Sequence, residues 1–112
     1  RSTMSIDASA FDKPIVNYLF NGWEKYSYHK SVAILYDPAF THYGPIIKSG
    51  GVKLAHTLDE MVTYLRDYLQ DPSLDSEGRK RIVREQCYKL DGKSGKRIAS
   101  FLLSLAEKKP AL

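Results

Sequence analysis

The sequence predicts an α/β domain in which part of a Rossmann-like parallel sheet is followed by three C-terminal helices. Three observations predict it. Ile15-Val16-Asn17-Tyr18-Leu19-Phe20 is a β-branched and aromatic run of strand length, the form of a parallel strand covered on both faces. Leu58, Met61, Val62, Leu65 and Leu69 fall on one helical face behind a capping box at Thr57-Leu58-Asp59-Glu60. Two more apolar stripes at helical spacing follow, so the order is helix, strand, irregular stretch, strand and three helices.

The elements follow in order. Arg1-Ser2-Thr3 runs straight into Met4, Ala8 and Phe11, a spacing of four and three that predicts a buried helix face over residues 4–11. Ser2 and Thr3 are cap-type residues that a strand normally feeds. No strand precedes them, so the start reads as cut and the early strands as missing. Asp12-Lys13-Pro14 stops the helix, because proline disfavours helical geometry in the residue before it. A strand is expected over 15–20, ended by Asn21-Gly22. Trp23, Tyr26, Tyr28 and Tyr36 make the next stretch aromatic, with a short strand at Val32-Ala33-Ile34-Leu35 and a short helix between Phe40 and Lys48, broken at Gly44-Pro45.

Gly50-Gly51 reads as a turn and Val52-Lys53-Leu54-Ala55 as a second strand, parallel to the first. A helix over 58–70 ends at Asp71-Pro72. The next spans about 77–90 with Val83, Cys87 and Leu90 inward, and Asp91-Gly92 breaks it. The last covers 94–107 on Ile98, Phe101, Leu102 and Leu105.

With 112 residues, 43% of them hydrophobic and 27% charged, the chain suits one domain with a single modest core. No apolar run approaches the roughly 20 residues of a membrane span, and the start lacks a basic-then-apolar leader. Cys87, the sole cysteine, has no internal disulfide partner. A cytoplasmic location is expected, peripheral at the inner face of the membrane as its variant. Between Arg79 and Arg97 eight basic residues face two acids. That run reads first as a solvated helix face, and second as a surface for anionic lipid or an acidic partner, with Arg79, Lys80, Arg81 and Arg84 as the lipid-facing patch. No nucleic-acid recognition motif is visible, and nucleic acid is not expected as a partner.

Ser2, Thr3 and Asp7 form the first candidate constellation. A helix start offers free amides, and small hydroxyl side chains add donors for a phosphate. Asp7 lies one turn on, where a carboxylate accepts the hydroxyls of a ribose. As residues alone they read first as caps and second as ligand groups. His29, His42 and His56 match no compact zinc spacing, and neither metal nor cofactor is expected. His42 stands out because Phe40-Thr41-His42-Tyr43 beside Gly44-Pro45 is irregular, and irregular segments often hold site residues. Gly50-Gly51 matches no nucleotide loop, and Cys87 reads as a small core residue.

Taken together, these motifs resemble a known group. Ser2-Thr3-Met4-Ser5-Ile6-Asp7-Ala8 followed by Asp12-Lys13-Pro14-Ile15-Val16-Asn17 resembles the donor-site segment of bacterial glycosyltransferases with the two-domain GT-B fold. Thr41-His42-Tyr43, Ser49-Gly50-Gly51-Val52, the Thr57 capping box, Asp71-Pro72 and Asp91-Gly92-Lys93-Ser94-Gly95-Lys96-Arg97-Ile98-Ala99 fit the same group. The chain looks most like the surface-polysaccharide and CDP-glycerol glycerophosphotransferase-like branch.

The resemblance implies that Ser2 and Thr3 hold the diphosphate of a nucleotide-activated sugar or polyol donor. It also implies that Asp7 binds the ribose and that His42 contributes to the site. In this fold the acceptor and the general base come from an N-terminal domain across a cleft. Under this expectation residues 1–112 are a single partial domain, the C-terminal, nucleotide-donor-binding half of a glycosyltransferase. Its parent transfers a sugar or polyol phosphate in cell-surface polysaccharide synthesis, its partner is the missing N-terminal domain, and alone it is inactive. Self-association through an exposed strand edge is expected as well. The competing expectations are a nucleotide-sugar epimerase fragment and a non-catalytic module with a basic docking face.

Overall fold

The computed structural model describes residues 3–21 and 42–107. Among them the chain forms five helices and a two-stranded parallel sheet. In order these are α1 (Met4–Ala10), β1 (Val16–Tyr18), α2 (Gly44–Lys48), β2 (Lys53–Ala55), α3 (Leu58–Gln70), α4 (Ser76–Gln86) and α5 (Ser94–Glu107). The α/β class and the parallel pairing agree with the sequence. Val16 pairs with Lys53, Asn17 with Leu54 and Tyr18 with Ala55, and the Leu19 amide extends the ladder by donating to the Ala55 carbonyl at 2.7 Å. The expected strand at Val32–Leu35, the residues Phe40 and Thr41 of the expected short helix, Ser2 and His29 lie outside the described residues.

Ile15, Tyr43, Ile46, Val52 and Ile82 form the core, with Ile6, Ala8, Leu19, Ile47 and Leu54 packed around it. Short connections turn the chain from α1 into β1 and from α2 into β2. The starts of α1 and α2 therefore lie toward the carboxyl edge of the sheet, and their ends toward its amino edge. α3 leaves the carboxyl edge directly after β2. Its start is the predicted capping box: the Glu60 amide donates to Thr57 Oγ1 at 3.1 Å. The Glu60 carboxylate reaches one residue further back than expected and accepts from the His56 amide at 2.7 Å.

Several expected inward faces are corrected. In α1 Met4 and Phe11 are exposed, and Ser5 and Ser9 are the buried residues. This face is polar in composition yet satisfied, since Ser9 Oγ donates to the Ser5 carbonyl at 2.7 Å. Tyr18 is exposed, so β1 is not covered on both faces, and among the described residues it pairs with β2 alone. Along α3 Leu58, Leu65 and Leu69 are exposed while Tyr68 is buried.

α4 ends at Gln86, four residues before the expected stop, because Tyr88 takes a left-handed conformation with φ 58. Leu90 is then beyond the helix and exposed, while Val83 and Cys87 are half-buried. The true inner face of α4 is Gly78, Arg79 and Ile82.

Arg79 is the largest correction. Its guanidinium is fully buried, so it cannot belong to a lipid-facing patch. Nε donates to Asp12 Oδ1 at 2.7 Å, Nη1 to the Leu74 carbonyl at 2.6 Å and Nη2 to the Pro72 carbonyl at 2.9 Å. Arg81 is also committed, donating to the Ser49 carbonyl at 3.1 Å.

Candidate functional site

In open α/β sheets ligands meet the crevice outside the carboxyl ends of the strands. Here that edge gathers the start of α1, the end of β1, the His42-Tyr43 pair ahead of α2, and His56-Thr57 ahead of α3. Three of these segments, the start of α1, β1 and the residues ahead of α2, are tied through the Tyr43 hydroxyl. Tyr43 Oη shares a 2.6 Å hydrogen bond with Ser5 Oγ and accepts from Asn17 Nδ2 at 3.1 Å. Ser5 and Tyr43 are both buried, so this link is shielded from water and positions the residues around it. The local sequence explains the geometry. Serine at position 5 is small enough for the tyrosine to reach α1, and Pro45 at the start of α2 fixes a helical φ without losing a needed amide.

The predicted residues fall around this link. Thr3 occupies the cap position of α1, and its carbonyl accepts from the Ile6 and Asp7 amides at 2.8 and 3.1 Å. Its hydroxyl makes no capping bond, so the side chain does not serve the helix as a cap. Asp7 is exposed in the first turn of α1. His42 is exposed and directly precedes the buried Tyr43. Neither Thr3 Oγ1, the Asp7 carboxylate nor the His42 ring bonds to any of the described residues. Ser2 lies outside them.

Sequence reasoning missed Tyr43, Ser5 and Asn17. The one available signal was the run Thr41-His42-Tyr43, which drew attention to the histidine rather than to the neighbour that anchors it. It also passed over His56. This ring is exposed at the end of β2 and lies 3.3 Å from Glu60 Oε2 through Nδ1. The His56 amide hydrogen bond, helped by the ring, outweighs the opposing effect of burial and holds the Glu60 carboxyl below its ordinary range.

Gly50-Gly51 is a turn, as expected, with Gly50 at φ 74. It lies at the amino edge against α4 and not beside Thr3 and Asp7. No group of three or more histidine, cysteine or acidic side chains suited to a metal occurs among the described residues.

No protein-family model, curated protein or solved structure matches this chain.

Proposed function

We propose that the chain is the donor-binding part of a glycosyltransferase that uses a nucleotide-activated sugar or polyol phosphate in cell-surface polysaccharide synthesis. The observation that carries this reading is the Tyr43 hydroxyl held between Ser5 and Asn17. It draws together three segments that resemble the donor site of that group: the Ser/Thr helix, the strand after Lys13-Pro14, and Thr41-His42-Tyr43. Parallel pairing of β1 and β2 supports the same reading, since it sets these segments at the edge where nucleotides bind in such sheets.

In this proposal Ser2 and Thr3 receive the donor diphosphate and Asp7 accepts hydrogen bonds from the ribose, while His42 lines the same edge. The transferred group passes to an acceptor hydroxyl, and the leaving nucleotide keeps the bonding pair and the added negative charge. Hydroxyl and amide donors aimed at that phosphate stabilise the charge as it develops. The acceptor and the base that takes its proton come from a second domain.

Amide chemical-shift titration with cytidine and uridine nucleotides tests the reading. Shifts should appear at Thr3, Asp7 and His42, with affinity of about a millimolar, or roughly −4 kcal/mol. Asp7→Ala should weaken binding at least about tenfold, because a hydrogen bond to a charged group contributes about 1.5–3 kcal/mol. Nucleotide binding untouched by Asp7→Ala and Thr3→Val in folded protein would remove the donor site from this edge.

A further inference from the structure

The apolar face of α5 has no cover among the described residues. No residue of α5 is buried, and Ile98, Phe101 and Leu102 are 60%, 62% and 58% exposed. With about 100° per residue, Phe101, Leu105, Ile98, Leu102 and Leu103 share an arc of about 200°. Lys96 borders that arc on one side and Arg97 on the other. Tyr88, Ile98 and Phe101, with Ser94 and Arg97, line an open groove of about 400 Å³ at the start of the face. Arg97 is fastened there, donating to Asp91 at 2.9 and 3.0 Å and lying 5.5 Å from the Tyr88 ring centroid.

Charge identifies what this face meets. Residues 76–107 carry eight basic and four acidic side chains, whereas residues 1–75 carry seven and nine. The positive excess therefore sits on α4, α5 and the residues that join them, and within this stretch α5 bears the exposed apolar face. Lys93 and Lys96 are exposed, and neither makes an ion pair with a described residue. Two copies meeting face to face would crowd these basic segments together, while an anionic surface neutralises them.

We propose that α5 docks in the plane of an anionic lipid surface, with its apolar arc among the upper acyl chains and Lys93 and Lys96 at the phosphate headgroups. A lysine at the border of an apolar arc, as Lys96 is, keeps its charge in the headgroup layer while its stem covers apolar surface, and Lys93, just ahead of the first turn, adds attraction to the anionic surface. The contact is peripheral, because no helix among the described residues is long and apolar enough to cross a membrane. It involves none of Thr3, Asp7 and His42, so it stands or falls separately from the donor-site reading.

Flotation with vesicles tests it, using phosphatidylcholine alone and phosphatidylcholine with about one third phosphatidylglycerol, at about 50 mM and about 500 mM salt. The chain should float with the anionic vesicles at low salt and much less at high salt. Lys93→Ala with Lys96→Ala should lower partitioning roughly fivefold per lysine, and Phe101→Ser with Leu102→Ser by about tenfold or more. These positions are exposed, so circular dichroism should report an unchanged fold. Failure to float with anionic vesicles at low salt would overturn the proposal. So would equal binding to both vesicle types, or a dimer in light scattering that Phe101→Ser with Leu102→Ser dissolves while vesicles leave the parent chain unbound.

Discussion

Alanine at Gly78 should destabilise the protein even though it is the better helix former. A methyl group there would overlap the backbone of Gly50 and Gly51, and a Cβ on Gly51 would lie 2.5 Å from the Arg79 amide. In an open helix interior the replacement gains about 0.8–1.0 kcal/mol. At this crossing the obstacle is backbone, and it cannot rotate away. Ser49 Oγ donates to the Ile46 carbonyl at 2.5 Å and accepts from the Gly51 amide at 3.0 Å, so the turn is fixed from within. α4 must therefore retreat, taking with it Ile82, which is 1% exposed, and the buried Arg79. Forcing an extra methyl into such packing costs about 1–3 kcal/mol, sometimes more. Because the obstacle is backbone the cost lies in the upper part of that range, about 2–3 kcal/mol, and after the gain in propensity is subtracted the net loss is about 1–2 kcal/mol. Urea unfolding followed by circular dichroism measures it, with Gly95→Ala as control. Gly95 has open space around its Cβ position, so that change should be neutral or stabilising by a few tenths of a kcal/mol. A Gly78→Ala midpoint at or above that of the parent, with an unchanged denaturant slope, would refute the close-contact reasoning.

Tyr43→Phe removes the hydroxyl shared by Ser5 and Asn17 and should cost about 1–3 kcal/mol, because buried polar groups lose their partner. An unfolding midpoint equal to the parent's would show that water replaces it freely. Arg79→Lys should cost about 2–3 kcal/mol, since one ammonium cannot reach the Asp12 carboxylate and two carbonyls in the directions a guanidinium does. That cost lies below the roughly 3–5 kcal/mol of a fully buried pair because the Asp12 side chain is 52% exposed, and retained stability in the lysine variant would discount the fork. For acid, the Arg79 hydrogen bond and then Ser76 hold the Asp12 carboxyl below its ordinary value. A depressed carboxylate contributes stability that is present above its unfolded pKa and lost as pH falls through the folded one. Stability should therefore decline below about pH 4, and less steeply in Asp12→Asn; identical acid limbs would exclude this ion pair as a contributor.

What the sequence revealed was what neighbouring residues encode. Thr57 and Glu60 sit three apart and make the capping bond their identities suggest. The short connection after Lys13-Pro14 and the β-branched residues after it led to a strand that pairs parallel with Lys53–Ala55. Hidden features depended on distant partners. Arg79 stands in a basic run, and its burial follows from Asp12, 67 residues away. Gly78 looks like a weak point in a helix, and only the Gly50-Gly51 turn packed against it gives it a purpose. Tyr88 carries no local mark of a left-handed residue, as glycine or asparagine would, and so the end of α4 was placed too late. At the candidate site Thr3, Asp7 and His42 were selected by residue type. The tyrosine that anchors them was not, because an aromatic side chain before Gly44-Pro45 gives no hint of a buried hydroxyl bonded to Ser5.

The two edges of the sheet differ in how their polar groups are partnered. At the amino edge polar groups are paired with one another: Asp12 with Arg79 and Ser76, and Asp75 with the Tyr68 hydroxyl at 2.7 Å and Lys53 at 3.1 Å. Burial disfavours the Asp75 carboxylate, but the Tyr68 hydroxyl and Lys53 ammonium outweigh it and keep its pKa below the ordinary range. Burial and then that same carboxylate push the Tyr68 hydroxyl well above its usual value. Groups so committed to each other have little left to offer a ligand. At the carboxyl edge the distribution reverses. The buried bonds there run through Tyr43, while Thr3, Asp7 and His42 keep their polar atoms toward solvent. Changes at Gly78, Arg79 and Asp12 should accordingly move unfolding midpoints, whereas changes at Thr3, Asp7 and His42 should leave them nearly unmoved and, on the donor-site proposal, act on nucleotide binding. The Tyr43 hydroxyl joins the two behaviours, because it is both buried structure and the support of the exposed edge.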